Sequence, residues 1–194
     1  MNSSVLNIDQ SSERLSEIHG EMDYYWYLRS PQFRSAFFRP MGELIDDLIG
    51  YEGVMLDVAC GEGCLFDHVH CKYVGFDGSE PAIEKGKRDR PGAELLVGRM
   101  ESPPLLPHTQ FDLVLIGGVL SVLVKPEARY GFIESYVAKY RPQFVVLYDL
   151  STLDVSFMDT ARFSPVIQQH ASAVDIDIED VKKHRSWWAY EVLY

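Results

Sequence analysis

The sequence predicts one α/β domain built on a doubly wound, mostly parallel sheet of seven strands, with an antiparallel C-terminal edge strand and an N-terminal helical cap. Three observations carry that prediction. Short apolar runs alternate with stretches of helical periodicity, the βαβα pattern of a parallel sheet covered on both faces. The stretch Val54-Met55-Leu56-Asp57-Val58-Ala59-Cys60-Gly61-Glu62-Gly63 is an apolar run ending in an acid and two closely spaced glycines. It reads as a buried strand opening into a tight turn, where glycine lets backbone amides approach a small molecule. Further acids and glycines fall just past the later apolar runs, at the carboxyl ends where such sheets bind ligands.

Before the first strand, residues 1–20 are polar with scattered apolar positions. Asp23 to Arg29 then holds four aromatics in a row, Tyr24, Tyr25, Trp26 and Tyr27, more than one helix face can bury. Ser30-Pro31 reads as an N-cap and first helical residue, giving a helix to about Phe38. Pro40 restarts the chain as a second helix, with Met41, Leu44, Ile45, Leu48 and Ile49 at helical spacing and Gly50 and Gly53 as its stop. Residues 1–50 are thus expected to form a cap within the same domain as the 51–194 core.

After the glycine turn, Leu65, Phe66 and Val69 predict a short helix, and Lys72 to Phe76 a second strand ending in Asp77. Gly78-Ser79-Glu80-Pro81 caps a helix to about Arg90, stopped by Pro91-Gly92, and Glu94 to Val97 is a third strand. Pro103, Pro104 and Pro107 make residues 98–110 a loop. Phe111 to Ile116 is a fourth strand running into Gly117-Gly118, followed by a helix from Pro126 to about Arg141. Phe144 to Tyr148 is the fifth strand, with Asp149 at its end. Beyond it the pattern predicts a helix holding Phe157 and Met158 and interrupted near Pro165. Val174 to Ile178 and Trp187 to Tyr194 are two further β-like runs, which pair antiparallel at a sheet edge.

Length and composition narrow the partners. At 194 residues the chain suits a single core. Lys plus Arg is 18 against 29 Asp plus Glu, a net charge of -11, which argues against a sequence-independent grip on nucleic acid. Met1 to Ile8 lacks a basic region followed by an apolar core, and no apolar run reaches membrane-spanning length, so a cytoplasmic protein is expected. Cys60, Cys64 and Cys71 are odd in number and crowded, which suits reduced thiols. Cys60, Cys64 and His68 follow one another in four-residue steps, but a second ligand pair is missing, so no metal is expected.

The turn could serve a dinucleotide. That fold needs G-x-G-x-x-G, whereas Gly61-Glu62-Gly63-Cys64-Leu65-Phe66 puts a phenylalanine where the third glycine allows close helix packing. Acids at Asp57 and Glu62 also suit a pyrophosphate poorly, so a nicotinamide-dependent oxidoreductase is disfavoured.

Asp57 to Gly63 instead resembles motif I of the class I S-adenosylmethionine-dependent methyltransferases. Tyr73-Val74-Gly75-Phe76-Asp77-Gly78-Ser79 resembles their second-strand motif, its acid twenty residues after Asp57, and Phe111 to Ile116 resembles the fourth-strand motif. The likeness spans roughly residues 50–194. It implies a Rossmann-like fold and S-adenosyl-L-methionine as cofactor, with the turn at Ala59, Cys60, Gly61 and Gly63 against the methionine part. Asp57 would support the loop or the amino group, and Asp77 would accept from both ribose hydroxyls. Gly78 and Ser79 would border the adenine, Met100 and Glu101 would hold its ring and amine, and Gly117 and Val119 would pass beneath the sulfonium. Only thirteen residues separate Gly63 from Asp77, so the first crossover helix must be brief.

Two functions follow: methyl transfer to a small or medium-sized acceptor, or a non-catalytic S-adenosylmethionine-binding partner. His19, His68, His108 and Asp149 are candidate bases by type, and only Asp149 falls at the reactive end of the sheet. Gly117-Gly118-Val119-Leu120-Ser121 lacks the Asn or Asp, Pro-Pro, aromatic run of enzymes that methylate base or glutamine amines. Metabolites, sugars, lipids or peptides remain as acceptors. Tyr24, Tyr27, Arg29 and Arg34 of the cap are expected to lie over the cofactor, where an arginine could pair with a carboxylate.

Overall fold

The computed structural model describes residues 31–120, 123, 125–150, 154–172 and 185–194. Its elements are α1 (Pro31–Ile49), β1 (Val54–Val58), a short 3₁₀ helix (Cys64–His68), β2 (Lys72–Asp77), α2 (Glu80–Asp89) and β3 (Glu94–Val97). They continue with β4 (Leu113–Gly117), α3 (Pro126–Tyr140), β5 (Phe144–Leu150), β6 (Phe163–Ser172) and β7 (Arg185–Val192). The sheet has seven strands in the order β3-β2-β1-β4-β5-β7-β6. β1, β2, β3, β4 and β5 pair in parallel, while β7 runs antiparallel between β5 and β6.

Strand order reverses between β1 and β4, so the crevice for a ligand opens at the carboxyl ends of those two strands. Side chains alternate across the sheet because successive residues of a strand point to opposite faces. One face buries Met55, Tyr73, Leu113, Leu115, Val146 and Trp187 beneath Phe37, Met41 and Ile45 of α1 and Ile83 of α2. The other buries Leu56, Val74, Val114, Ile116, Val145 and Trp188 against Phe132, Ile133, Tyr136, Val137 and Tyr140 of α3.

Three expectations are corrected. Pro40 does not restart the chain: α1 is one helix with Pro40 inside it. Proline there costs about 3 kcal/mol, but Phe37, Phe38, Met41 and Ile45 lie at 0–3 % exposure on its inner side. Each such side chain contributes roughly 1.5–3 kcal/mol on burial, so packing outweighs the broken hydrogen bond. The helix expected around Phe157 and Met158 is a run of turns, with Asp154 accepting from the Ser156 amide (2.8 Å) and Asp159 from that of Ala161 (2.9 Å). Such Asx bonds give the backbone an alternative to helix. Pro165 then lies within β6, an edge strand whose outer side needs no ladder donor, beside a register shift. The strand expected at 174–178 falls outside the described residues.

The first crossover is brief, as the spacing required: five residues of 3₁₀ helix replace a full α-helix between β1 and β2. The remaining strands differ from expectation only at their ends. β4 starts at Leu113, and just before it the Asp112 carboxylate accepts the Val54 amide (2.8 Å).

Candidate active site

The turn after β1 is built from left-handed residues: Ala59 (φ 60°), Gly61 (φ 57°) and Gly63 (φ 69°). Three of its amides are committed within the protein. The Cys60 amide donates to the Phe76 carbonyl (3.0 Å), that of Gly61 to Asp77 Oδ2 (2.9 Å) and that of Gly63 to the Cys60 carbonyl (2.9 Å). Amides spent this way do not contribute to a nest for a phosphate.

The turn is held from below. Glu62 Oε2 accepts from Lys85 Nζ of α2 (2.6 Å), and its carbonyl accepts from Arg90 Nη1 (3.2 Å). Arg90 also gives Nε and Nη2 to Asp67 Oδ2, at 3.0 and 2.8 Å. A Cβ on Gly86 would stand 2.6 Å from the Glu62 carbonyl oxygen, so glycine is what lets α2 close on the turn. The acid at Glu62 thus meets a lysine of α2.

Asp77 ends β2 at 5 % exposure. Its Oδ2 takes the Gly61 amide and its Oδ1 the Ser79 amide (2.8 Å), while Ser79 Oγ caps α2 through the Ala82 amide (3.4 Å). One carboxylate therefore fixes both the β1 turn and the start of α2. With about four lone-pair sites, holding two amides is compatible with accepting ligand hydroxyls.

Asp57 behaves differently. It makes no hydrogen bond to the turn; Oδ2 accepts from Tyr73 Oη at 2.6 Å, and Oδ1 is buried with no hydrogen-bond partner. Burial raises its carboxyl to about 7, the Tyr73 bond lowers it in part, and the Asp77 charge adds to the rise. Burial also pushes the thiol of Cys60 and the hydroxyl of Tyr73 well above their ordinary values, each with further help from the Asp57 charge.

Met100 is 8 % exposed and belongs to the core on the α3 side, where its carbonyl accepts from Tyr136 Oη (2.6 Å). Glu101 lies beside it, 3.7 Å from Arg99 Nε. Met100, Glu101 and Pro103 face Phe132, Ser135 and Tyr136 across a cleft of about 270 Å³. Gly117 ends β4 under the Tyr148 ring, which is edge-on to Phe37 (5.6 Å) and Phe38 (6.2 Å). Val119 and Leu120 are buried, and Arg129 Nε of α3 fastens the segment after β4 through the carbonyls of Leu120 (3.0 Å) and Leu123 (2.7 Å).

Asp57, Asp77, Gly61, Gly63, Gly117 and Asp149 thus gather at the carboxyl ends of β1, β2, β4 and β5. Asp149 is fully buried. His108 does not join them: it is exposed and sits against Phe111, at the opposite end of β4. His68 closes the 3₁₀ helix and stacks on Phe38 (6.3 Å). Tyr24, Tyr27, Arg29 and His19 lie outside the described residues, as does the side chain of Arg34 on α1. Cys60, Cys64 and Cys71 are buried free thiols, and among the described residues no group of three His, Cys, Asp or Glu is disposed to hold a metal ion.

Tyr73, Tyr136, Arg129 and Arg90 escaped the sequence reading. Only Arg90 carried a signal, as a basic residue just beyond the α2 helix that proved buried rather than solvated.

A family model described as methyltransferase domain matches residues 56–143. No curated protein matches the sequence. Among solved structures, the N-methyltransferase NodS from Bradyrhizobium japonicum WM9, bound to S-adenosyl-L-homocysteine, superposes with a TM-score of 0.67 at 15 % identity, covering 95 % of this chain and 99 % of its own. The 1,6-didemethyltoxoflavin-N1-methyltransferase of Burkholderia thailandensis, with 1,6-didemethyltoxoflavin and S-adenosylhomocysteine bound, gives 0.66 at 15 % identity over 95 % and 88 %. The plantazolicin methyltransferase BpumL, with a triazolic desmethylPZN analog and S-adenosylhomocysteine, gives 0.58 at 10 % identity over 95 % and 92 %. At these identities the superpositions speak for the fold. With the domain match over residues 56–143, the chain is similar to S-adenosylmethionine-dependent methyltransferases both in that segment and in its fold.

Proposed function

We propose that the enzyme transfers the cofactor's methyl group to a small or medium-sized acceptor, a metabolite, sugar, lipid or peptide. The observation that carries the cofactor half of this reading is the division of labour between two buried acids. Asp77 holds the turn, which leaves Asp57 Oδ1 without a partner. A buried carboxylate oxygen without a partner is costly and calls for a cation or donor.

S-adenosylmethionine brings an ammonium and a ribose diol. In this reading Asp57 meets the ammonium, Asp77 the two ribose hydroxyls, Gly78 and Ser79 border the adenine, and the backbone near Met100 and Glu101 receives its ring. Gly117 and Val119 line the path of the sulfonium. When bound, the cofactor supplies an activated methyl with a good leaving group, so the chain's task is to bind and align the two reactants and exclude water.

The acceptor class rests on three supports. The net charge of -11 opposes a polyanion, and the run after β4 lacks the motif of base-amine enzymes. Two structures with the same fold hold acceptors named 1,6-didemethyltoxoflavin and a desmethylPZN analog. Among the described residues no helix is long and apolar enough to cross a membrane, which agrees with a cytoplasmic place of work. Tyr24, Tyr27, Arg29 and Arg34 are read as the cap over the acceptor, with Asp149 at the reactive end of β5.

Incubation with methyl-labelled S-adenosylmethionine and a fractionated cell extract tests the proposal. Label is expected in the small-molecule, lipid or peptide fractions. Label in nucleic acid overturns the acceptor class, and cofactor binding without any transfer favours a non-catalytic binding subunit. Removing residues 1–30, which spares the buried Phe37 and Phe38 of α1, should abolish turnover while keeping cofactor affinity. Unchanged turnover removes the cap from the site.

A further inference from the structure

The contact between Tyr73 and Asp57 joins neighbouring strands: Met55 stands opposite Tyr73 and Asp57 opposite Gly75. The tyrosine reaches forward from two places upstream to meet the carboxylate at 2.6 Å. Its own ring is 5 % exposed and edge-on to Phe66 at 5.7 Å, so the hydroxyl is fixed by packing. We propose that Tyr73 is a positioning residue for the cofactor: its hydroxyl ties down Oδ2 of Asp57 and thereby presents Oδ1 to the cofactor's α-ammonium. This rests on the reading of Asp57 given under the proposed function.

The consequence is a proton exchange. Tyr73 donates to Oδ2, so when Asp57 is protonated its proton belongs on Oδ1, the oxygen the ammonium must reach. The two cations compete for one atom. Among the described residues, the groups facing Asp57 are Tyr73 and Asp77 on β2 and Cys60 in the turn, with Tyr148 of β5 facing Tyr73. The neighbouring positions of β4 and α1, Leu115, Phe37 and Met41, carry no charge. Since burial raises Asp57 to about 7, the acid is largely protonated below neutrality, and binding must expel that proton.

Titration calorimetry with S-adenosylhomocysteine between pH 5.5 and 7.0, where an α-ammonium with an ordinary value of about 7.7–8.0 stays largely charged, reads this directly. Repeating it in buffers of different ionisation enthalpy counts protons. For the wild type, release is expected to be about 0.9 proton at pH 6 and about half a proton at pH 7, with affinity rising towards tenfold per pH unit below pH 6 and flattening towards pH 7. Tyr73→Phe removes the bond that lowers the Asp57 value, so its steep region should extend to pH 7 without flattening. Asp57→Asn should bind with no slope. A phenylalanine variant that folds but keeps the wild-type profile overturns the positioning role. The wild-type count needs no variant, and a value near zero at pH 6 overturns the proposal by itself. Absence of any binding at any pH overturns the cofactor reading, and this inference with it.

Discussion

Replacing Gly117 by alanine tests how tightly the reactive end of β4 is packed. Gly117 does not have a left-handed backbone, so the penalty of a side chain there is steric. An added Cβ would fall inside the edge of the Tyr148 ring, against Cε1 and Cζ and 2.5 Å from Cδ1. Carbon atoms settle at about 3.5–4.0 Å, so the ring must withdraw by more than about 1 Å. It has little room: Phe37 and Phe38 are edge-on to it at 5.6 and 6.2 Å. Overpacking of this kind costs about 1–3 kcal/mol. For a chain of this size each kcal/mol lowers Tm by about 2–4 °C, so a fall of roughly 2–12 °C is expected in a thermal melt. Combining Gly117→Ala with Tyr148→Val removes the clash, and the pair should be less damaging than the sum of the single variants by at least about 1 kcal/mol. An alanine variant that melts within a degree of the wild type, or a strictly additive pair, refutes the reasoning.

Asp57→Asn should change the pH dependence of stability. A carboxyl raised to about 7 in the folded state binds its proton more tightly than in the unfolded chain, so its contribution is fully present below about pH 4 and lost as pH rises through about 7. The asparagine variant should therefore out-melt the wild type at pH 8, by an amount on the order of 4 kcal/mol at most, and lose that advantage at pH 4. A constant difference between the two melting curves contradicts this. Arg90→Met strips Asp67 and the Glu62 carbonyl of a buried partner and should cost at least about 1.5–3 kcal/mol in denaturant unfolding. A midpoint unchanged from wild type would show the contact to be idle. Cys60, Cys64 and Cys71 are buried, with Cys71 pushed up to about 12 by burial first and the Asp46 charge second. A thiol reagent at pH 8 should therefore find no fast-reacting cysteine in the native protein and three after unfolding, and fast native labelling would contradict that burial.

What the sequence disclosed followed from local pattern. The five strands from β1 to β5 are short apolar runs, and the left-handed turn at Gly61 and Gly63 announces itself by glycine. What it hid depended on context. Pro40 is a local helix breaker overruled by Phe37, Met41 and Ile45, whose burial is a tertiary fact. Pro165 disguised β6, because a proline is compatible with a strand only at a sheet edge, and the edge is known only once the sheet is assembled. The site divided along the same line. Asp57 and Asp77 were legible as strand-end acids, but their roles were not. The Gly61 amide chose Asp77, sixteen residues away, and Tyr73 chose Asp57 across the same gap. Tyr136 reaches the Met100 carbonyl over thirty-six residues, and no periodicity encodes such a bond.

In the proposed function, the carboxyl ends of β1 and β2 bind S-adenosylmethionine through Asp77. Calorimetric titration of the wild type and of Asp77→Ala with S-adenosylmethionine and S-adenosylhomocysteine tests it most directly, with a thermal melt to establish that the variant is folded. Saturable one-to-one binding of both ligands to the wild type is expected, with a loss of at least about tenfold in affinity in the variant, since charge-assisted hydrogen bonds are worth about 1.5–3 kcal/mol. Failure of the wild type to bind either ligand, or a folded variant that binds both as tightly as the wild type, contradicts it.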